Sequence, residues 1–118
     1  MTPIANMEAS LQEGMTHHQA GRFQQAEQIY REILNSDQNY SPAWHLLGVL
    51  ALQIGRATEG AQMIERAIQL GMRAPEVFNN LGECYRSQGK YAEAANAYQS
   101  ALQLNPNHAD AMCNVAMM

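Results

Sequence analysis

Residues 78–85 read FNNLGECY, and altered copies, WHLLGVLA and SLQEGMTH, occupy residues 44–51 and 10–17, so the stride is 34 residues. Each copy keeps a glycine at its fifth position, at Gly14, Gly48 and Gly82. A second glycine series keeps the same stride, at Gly21, Gly55 and Gly89. A fixed period of this length indicates a stack of similar supersecondary units, not one closed core. Because such stacks bind partners along a surface, we expect a binding function and no catalytic site within the repeats.

The composition fits a small folded protein that does not bind nucleic acid. Of 118 residues, 47% are hydrophobic, and the formal net charge is −4 with 7 Lys and Arg residues. Phosphate binding needs a clustered basic face, which so few cations do not supply. Two cysteines are too few for a disulfide framework. The start, MTPI, lacks the features of a secretory signal, and no apolar run reaches the roughly 18 residues of a membrane span. We therefore predict a cytoplasmic protein.

Each stride is interpreted as two amphipathic helices joined at the second glycine series. In the middle stride, apolar residues at helical spacing predict a helix over 42–54 and a second over about 57–70. Ser41 is expected to be the N-cap of the first helix, with Pro42 at the first helical position. Gly55 ends that helix, because glycine accepts the left-handed conformation that follows a helix.

Small residues mark the places where the two helices of a pair are expected to touch. One column holds the glycines of the octapeptides, and the other holds Ala26, Gly60 and Ala94. Lacking bulk, these residues let the helices approach closely. The larger side chains Tyr30, Ile64 and Tyr98 fill the remaining space.

The third stride resembles the tetratricopeptide repeat at every signature position. These positions are Phe78, Leu81, Gly82, Tyr85, Ala94, Tyr98, Ala101 and Pro106. The second stride keeps part of the pattern and the first is degenerate, as suits an end unit. The resemblance extends over about residues 7–118. It implies an all-α solenoid of three antiparallel helix pairs plus a trailing helix. The predicted organisation is a tail (1–6), three repeats (7–40, 41–74, 75–108) and the first helix of a fourth (109–118).

The last residues are unusually apolar for the end of such an array. Residues 111–118 read AMCNVAMM, where a finished array ends in a polar capping helix. We expect the chain to be a fragment of a longer array. Met112, Val115 and Ala116 form an uncovered face, so we also expect a homodimer or end-to-end association through residues 109–118.

The resemblance implies that the first helix of each pair lines a concave groove that holds an extended peptide. The predicted groove residues share one helix face and are Leu11, Gln12, Met15, His18, His45, Val49, Leu52, Asn79, Asn80, Glu83, Arg86 and Asn114. The N-terminal half is largely apolar and the C-terminal half polar, which suits an apolar anchor followed by a hydrogen-bonding backbone. The alternative is that Leu11, Met15 and Leu52 only pack between helices, and that Asn80 is an exposed amide without a role.

Two branches of the family bear on the partner. Asn80 and Asn114 resemble the inward asparagine ladder of O-linked N-acetylglucosamine transferases, although the ladder fails at Leu46. Amides of this kind can hold a peptide backbone without reading its side chains. Another branch binds the C-terminal carboxylate of heat-shock chaperones through a cationic clamp. Here no cation is in place and Glu76 would repel a carboxylate, which argues against that function.

No enzyme or metal site is visible in the sequence. His17, His18, His45, His108, Cys84 and Cys113 lack the paired spacing of metal ligands. Glu83 and Arg86 are interpreted as an i, i+3 surface pair, not a catalytic dyad. We therefore predict a protein–protein interaction module with no cofactor, no metal and no catalytic residue. The alternative is the N-terminal substrate-recruiting segment of a larger enzyme, such as a bacterial glycosyltransferase similar to the O-linked N-acetylglucosamine transferases.

Overall fold

The computed structural model describes residues 4–116, which form seven α-helices and no strand within that range. The helices are α1 (Ile4–Gln19), α2 (Phe23–Ser36), α3 (Ser41–Gln53), α4 (Ala57–Gln69), α5 (Pro75–Ser87), α6 (Tyr91–Leu104) and α7 (Ala109–Ala116). The predicted fold class, an all-α solenoid of three helix pairs plus a trailing helix, is confirmed. Residues 1–3 of the predicted tail and residues 117–118 lie outside the described range.

Two predicted helix starts differ from the structure. Helix α1 begins at Ile4, within the predicted tail, because nothing in residues 4–6 interrupts a helix. Ser41 is the first helical residue and Tyr40 precedes it, so the expected Ser41 N-cap is wrong. The preceding turn explains the shift: the Asn39 amide donates to Asp37 Oδ1 at 2.9 Å, and the Tyr40 amide donates to the Asp37 carbonyl at 3.2 Å.

The breaks inside the helix pairs lie at the second glycine series, as predicted. Gly55 has a φ of +85°, a left-handed conformation that side chains other than glycine rarely adopt. Beside it, the Arg56 amide donates to the Ala51 carbonyl at 2.7 Å, which closes the end of α3 in a Schellman motif. The chain therefore reverses within three residues, and α4 returns along α3.

Within each pair, the helices meet at the predicted small residues. A Cβ atom placed on Gly82 would lie 2.4 Å from the Tyr98 ring, and one on Gly14 would lie 2.6 Å from the Tyr30 ring. In the middle pair, the same atom on Gly48 would lie 2.8 Å from a backbone oxygen, that of Gly60. These contacts leave no room for another carbon, so the glycines set the spacing of each pair.

The three pairs stack so that α1, α3, α5 and α7 follow one another along an elongated body of 42 × 25 × 21 Å. Helices α1 and α3, and α3 and α5, are in contact, and α7 packs on α6. At the α7 end, Met112 is 51% exposed and Val115 is 37% exposed, whereas the residues 34 positions earlier, Phe78 and Leu81, are 9% and 8% exposed. Within the part of the chain described, no helix combines the length and the apolar character needed to span a membrane.

Candidate peptide groove

Two adjoining cavities lie along the face formed by α1, α3 and α5. The first has a volume of about 520 Å³, and its wall includes Met15, His18, Leu46 and Gln53. The second has a volume of about 360 Å³, and its wall includes Met15, His45, Leu46, Met72, Glu76 and Val77. Met15 and Leu46 line both cavities, so the two are neighbours along one channel, which we call the groove.

Polar side chains 35 residues apart join successive first helices along this face. His18 Nε2 and Gln53 Oε1 lie 2.6 Å apart, joining α1 to α3. His45 Nε2 and Asn80 Nδ2 lie 3.0 Å apart, joining α3 to α5. Asn114 Nδ2 donates to Asn79 Oδ1 at 2.8 Å, joining α7 to α5. We call these three contacts the polar bridges.

His18 occupies the centre of a short hydrogen-bond chain. Gln53 Oε1 can only accept, so His18 Nε2 carries a hydrogen, and in the neutral ring His18 Nδ1 then accepts one. Its donor is the Tyr30 hydroxyl at 3.1 Å, and burial raises the pKa of Tyr30 to about 12, which keeps this hydroxyl protonated. The Phe23 ring packs edge-on against the imidazole, with centroids 5.8 Å apart. These contacts select one tautomer of the neutral His18 ring and hold the ring at the groove wall.

His45 is held as the neutral imidazole. Asn80 Nδ2 can only donate, so His45 Nε2 accepts and the ring carries its hydrogen on Nδ1. Burial lowers the pKa of His45, and the nearby Glu76 carboxylate opposes that effect in part. At neutral pH this bridge therefore contributes no charge to the groove.

The predicted roles of two of the three groove asparagines, Asn79 and Asn114, need correction. Asn79 is 4% exposed and Asn114 is 8% exposed, and their amides bond to each other. They join two helices, and so are not open to a ligand as predicted. Asn80, predicted as a groove residue or as an exposed amide without a role, bonds His45 across the α3–α5 joint and keeps its Oδ1 atom free of a partner among the described residues. A comparison of residues 34 positions apart did not predict these contacts, because each side chain contacts a side chain 35 residues later in the chain.

Some predicted groove residues belong to the core, and others line the exposed face. Leu11 and Leu52 are partly buried against apolar clusters, which is the packing role that the sequence left open. Val49, Glu83 and Arg86 are partly buried, and Gln12 is exposed. Among the described residues, the ion pair is Arg31 with Glu27 at 3.0 Å; Glu83 and Arg86 do not form the predicted pair.

Sequence reasoning missed several groove residues. Gln53 and Met72 line the cavities, yet neither lies in a predicted groove column. For Gln53, the signal was the 35-residue spacing to His18. For Met72 the sequence offered less, because it lies in the turn between α4 and α5.

The described residues contain no group of three His, Cys, Asp or Glu side chains able to hold a metal ion. Both cysteines are free. Burial, with Glu83 and Glu65 nearby, raises the pKa of the Cys84 thiol to about 12, so it remains a thiol packed in the core. Cys113 is exposed on α7.

Family models for the tetratricopeptide repeat match residues 17–81 and residues 75–108. The chain belongs to the tetratricopeptide repeat family. Human tetratricopeptide repeat protein 7B is 30% identical over 84 residues, which are 71% of this chain and 10% of that protein. This repeat protein thus spans about a tenth of the length of that relative.

Two solved structures show the same fold. The Thermobaculum terrenum O-GlcNAc transferase mutant superposes with a TM-score of 0.92 at 24% identity, over 99% of this chain and 23% of that one. The first repeat domain of Spaghetti (RPAP3), bound to the HSP90 peptide SRMEEVD, superposes with a TM-score of 0.92 at 15% identity, over 98% of this chain and 92% of that one. At these identities the likeness shows the fold alone.

Proposed function

We propose that this repeat protein is a protein-interaction module that binds an extended peptide segment of its partner in the groove. One observation carries the proposal: two apolar cavities share a wall at Met15 and Leu46 and are bordered by polar side chains with hydrogen-bonding capacity to spare. Among the described residues, Gln53 Nε2 and Asn80 Oδ1 have no hydrogen-bond partner. They supply a donor and an acceptor for a peptide backbone beside the apolar cavities. The peptide-bound Spaghetti domain shows that this fold can hold a peptide.

The test is a selection of extended peptides from a random library, followed by mapping of the bound peptides by NMR. We expect shift changes in the amides of α1, α3 and α5. Leu46→Gln should weaken binding about tenfold, because a buried leucine side chain contributes about 1.5–3 kcal/mol. The matched control is Leu104→Gln, on the exposed surface of α6. Shift changes confined to α2, α4 and α6 would show that the groove is not the binding site.

The alternative origin, a substrate-recruiting segment of a glycosyltransferase, rests on the fold shared with the O-GlcNAc transferase. The amide ladder that favoured this origin is weakened, because Asn79 and Asn114 bond each other and Asn80 bonds His45. In either case the residues of this chain would serve as the binding segment. A protein sequence that continues into further repeats and a catalytic domain would favour the alternative.

We also propose the unit boundaries predicted above, a cytoplasmic location and self-association through α7. The free cysteines suit a reducing compartment. Self-association is supported by the exposed side chains of Met112 and Val115 on α7, at one end of the stack. Sedimentation over a concentration series should show a dimer or longer assembly that a Met112→Gln, Val115→Thr double variant loses. A strict monomer at high concentration would contradict this.

A further inference from the structure

The second cavity of the groove offers an apolar floor with adaptable shape. Its wall combines Leu46 and Val77 with two methionines, Met15 and Met72. Methionine side chains are unbranched and polarisable, so they adjust to apolar groups of different shapes. A cavity of about 360 Å³ has room for one large side chain of a peptide.

The charged side chain on the wall of this cavity is a carboxylate. Among the described residues that line the two cavities, Glu76 is the one side chain from the group Asp, Glu, Lys and Arg. It lies on the cavity wall in the exposed first turn of α5, and it faces neutral His45. Within residues 4–116, no Lys or Arg side chain lines either cavity beside this carboxylate.

A second carboxylate, that of Glu8, lies on α1, which packs against α3 in the stack. Burial, and next the Glu8 carboxylate on α1, raise the pKa of the hydroxyl of Tyr40, which precedes α3. Glu8 and Glu76 differ by two strides and are both exposed. One carboxylate thus lies on the cavity wall, a second occupies the equivalent position of the first repeat, and the net charge of the chain is −4. Uncompensated charge of one sign near a cleft attracts ligands of the other sign.

We propose that the groove binds a basic peptide segment, in which one large apolar side chain enters the cavity between α3 and α5 while neighbouring Lys or Arg residues meet Glu76 and Glu8. This inference rests on the proposed function and gives it a partner chemistry. An acidic segment would place its carboxylates against Glu76 and Glu8 without a cation to receive them.

Three labelled peptides of equal length test the inference on the full chain. Each has a Gly-Ser frame, and the centres are Lys-Leu-Lys, Glu-Leu-Glu and Lys-Ser-Lys. Binding is followed by fluorescence anisotropy and by the methyl signals of ¹³C-labelled methionines, with Met15 and Met72 identified from Met→Leu variants. The Lys-Leu-Lys peptide should bind most tightly and shift both methyl signals. The affinity of the Glu-Leu-Glu peptide should be lower by about fivefold or more. The Lys-Ser-Lys peptide should leave the methyl signals unshifted.

Charge variants separate the carboxylates from general effects on the helix. Glu76→Gln should weaken Lys-Leu-Lys binding about two- to fivefold, the range of a single exposed ion pair, and added salt should reduce the difference. Glu93→Gln is the matched control, because Glu93 also lies in the first turn of a helix, α6, and is exposed outside both cavities. It should leave the affinity unchanged.

The outcomes distinguish this inference from the proposed function. Equal binding of the Lys-Leu-Lys and Glu-Leu-Glu peptides at Met15 and Met72, or no effect of Glu76→Gln, would overturn the basic-segment inference alone. The same holds if library peptides without basic residues shift the two methyl signals and the designed peptides do not. If no peptide of either origin shifts them, both the inference and the proposed function are wrong.

Discussion

The joint inside each helix pair differs from the joint between successive first helices in its chemistry and in what it tolerates. Inside a pair, glycine lies directly against a ring or a backbone, as Gly82 does against Tyr98 and Gly48 against Gly60. Between first helices, the contact is made by side-chain hydrogen bonds such as that of His45 with Asn80. Inside a pair, steric contact limits how large the residue can be. Between first helices, the residues that form the hydrogen bond can differ from one joint to the next. The joint inside a pair therefore governs the fold, and the joint between first helices shapes the groove wall.

The largest expected effect comes from adding one carbon to the tightest joint. Gly60→Ala should lower the free energy of unfolding by about 3 kcal/mol, because the new Cβ would lie 2.7 Å from the Gly48 carbonyl oxygen, a backbone atom that cannot turn aside. Urea denaturation measures the loss. The substitution looks harmless in sequence, since Ala26 and Ala94 occupy the equivalent positions of the other pairs.

Ala94→Gly is the control for this prediction. This substitution adds no atom, so it should lower the free energy of unfolding by about 1 kcal/mol, the difference in helix propensity between alanine and glycine. A neutral or stabilising Gly60→Ala variant would show that α3 and α4 approach less closely than the structure indicates.

The second effect is the loss of the buried polar bridge. Asn79→Ala leaves the Asn114 amide, itself 8% exposed, without its partner, and such a group costs about 1–3 kcal/mol. Because α7 is short and packs at one end of the stack, the cost should appear first as detachment of that helix. Hydrogen exchange should show lost protection in 109–116 while α3 and α4 keep theirs. Unchanged protection in α7 would mean that its apolar contacts, not the Asn79–Asn114 bridge, hold it in place.

These two joints also explain what could be read from the sequence. The positions of Gly48, Gly60 and Ile64 recur as columns of small or large residues because the steric limit repeats in every pair, so the helices, their breaks and the core faces followed from the stride. The polar bridges did not, since each uses a different pair of residues, and the equivalent positions at the first joint are the apolar Leu11 and Leu46. Whether an asparagine in such a column faces solvent or a neighbouring helix depends on that neighbour.

Acidification should weaken the His45–Asn80 bridge. The loss of stability should be smaller than for the Asn79–Asn114 bridge, since both side chains are partly exposed. Burial lowers the pKa of His45 in the folded chain, so the unfolded chain binds the proton more readily. The neutral imidazole makes its full contribution to stability above about pH 6.5, the ordinary pKa of histidine. This contribution is lost as the pH falls through the lower pKa of His45 in the folded chain. His45→Gln keeps a hydrogen-bond acceptor for Asn80 and does not titrate, so its stability should fall less over this range in urea denaturation at each pH. Parallel pH profiles would contradict the assignment.

The smallest effect compares two buried tyrosines that occupy equivalent positions. The Tyr30 hydroxyl donates to His18, whereas the Tyr98 hydroxyl has no hydrogen-bond partner among the described residues. The residue equivalent to His18 in the third pair is Arg86, whose guanidinium offers no acceptor for a hydroxyl hydrogen. Tyr30→Phe should therefore cost about 1 kcal/mol, the typical net value of one hydrogen bond, and Tyr98→Phe should be neutral or slightly stabilising. Thermal denaturation of the two variants measures the difference, and each serves as the control for the other. Equal losses would show that an ordered water satisfies the Tyr98 hydroxyl, and the contrast between these two pairs would then disappear.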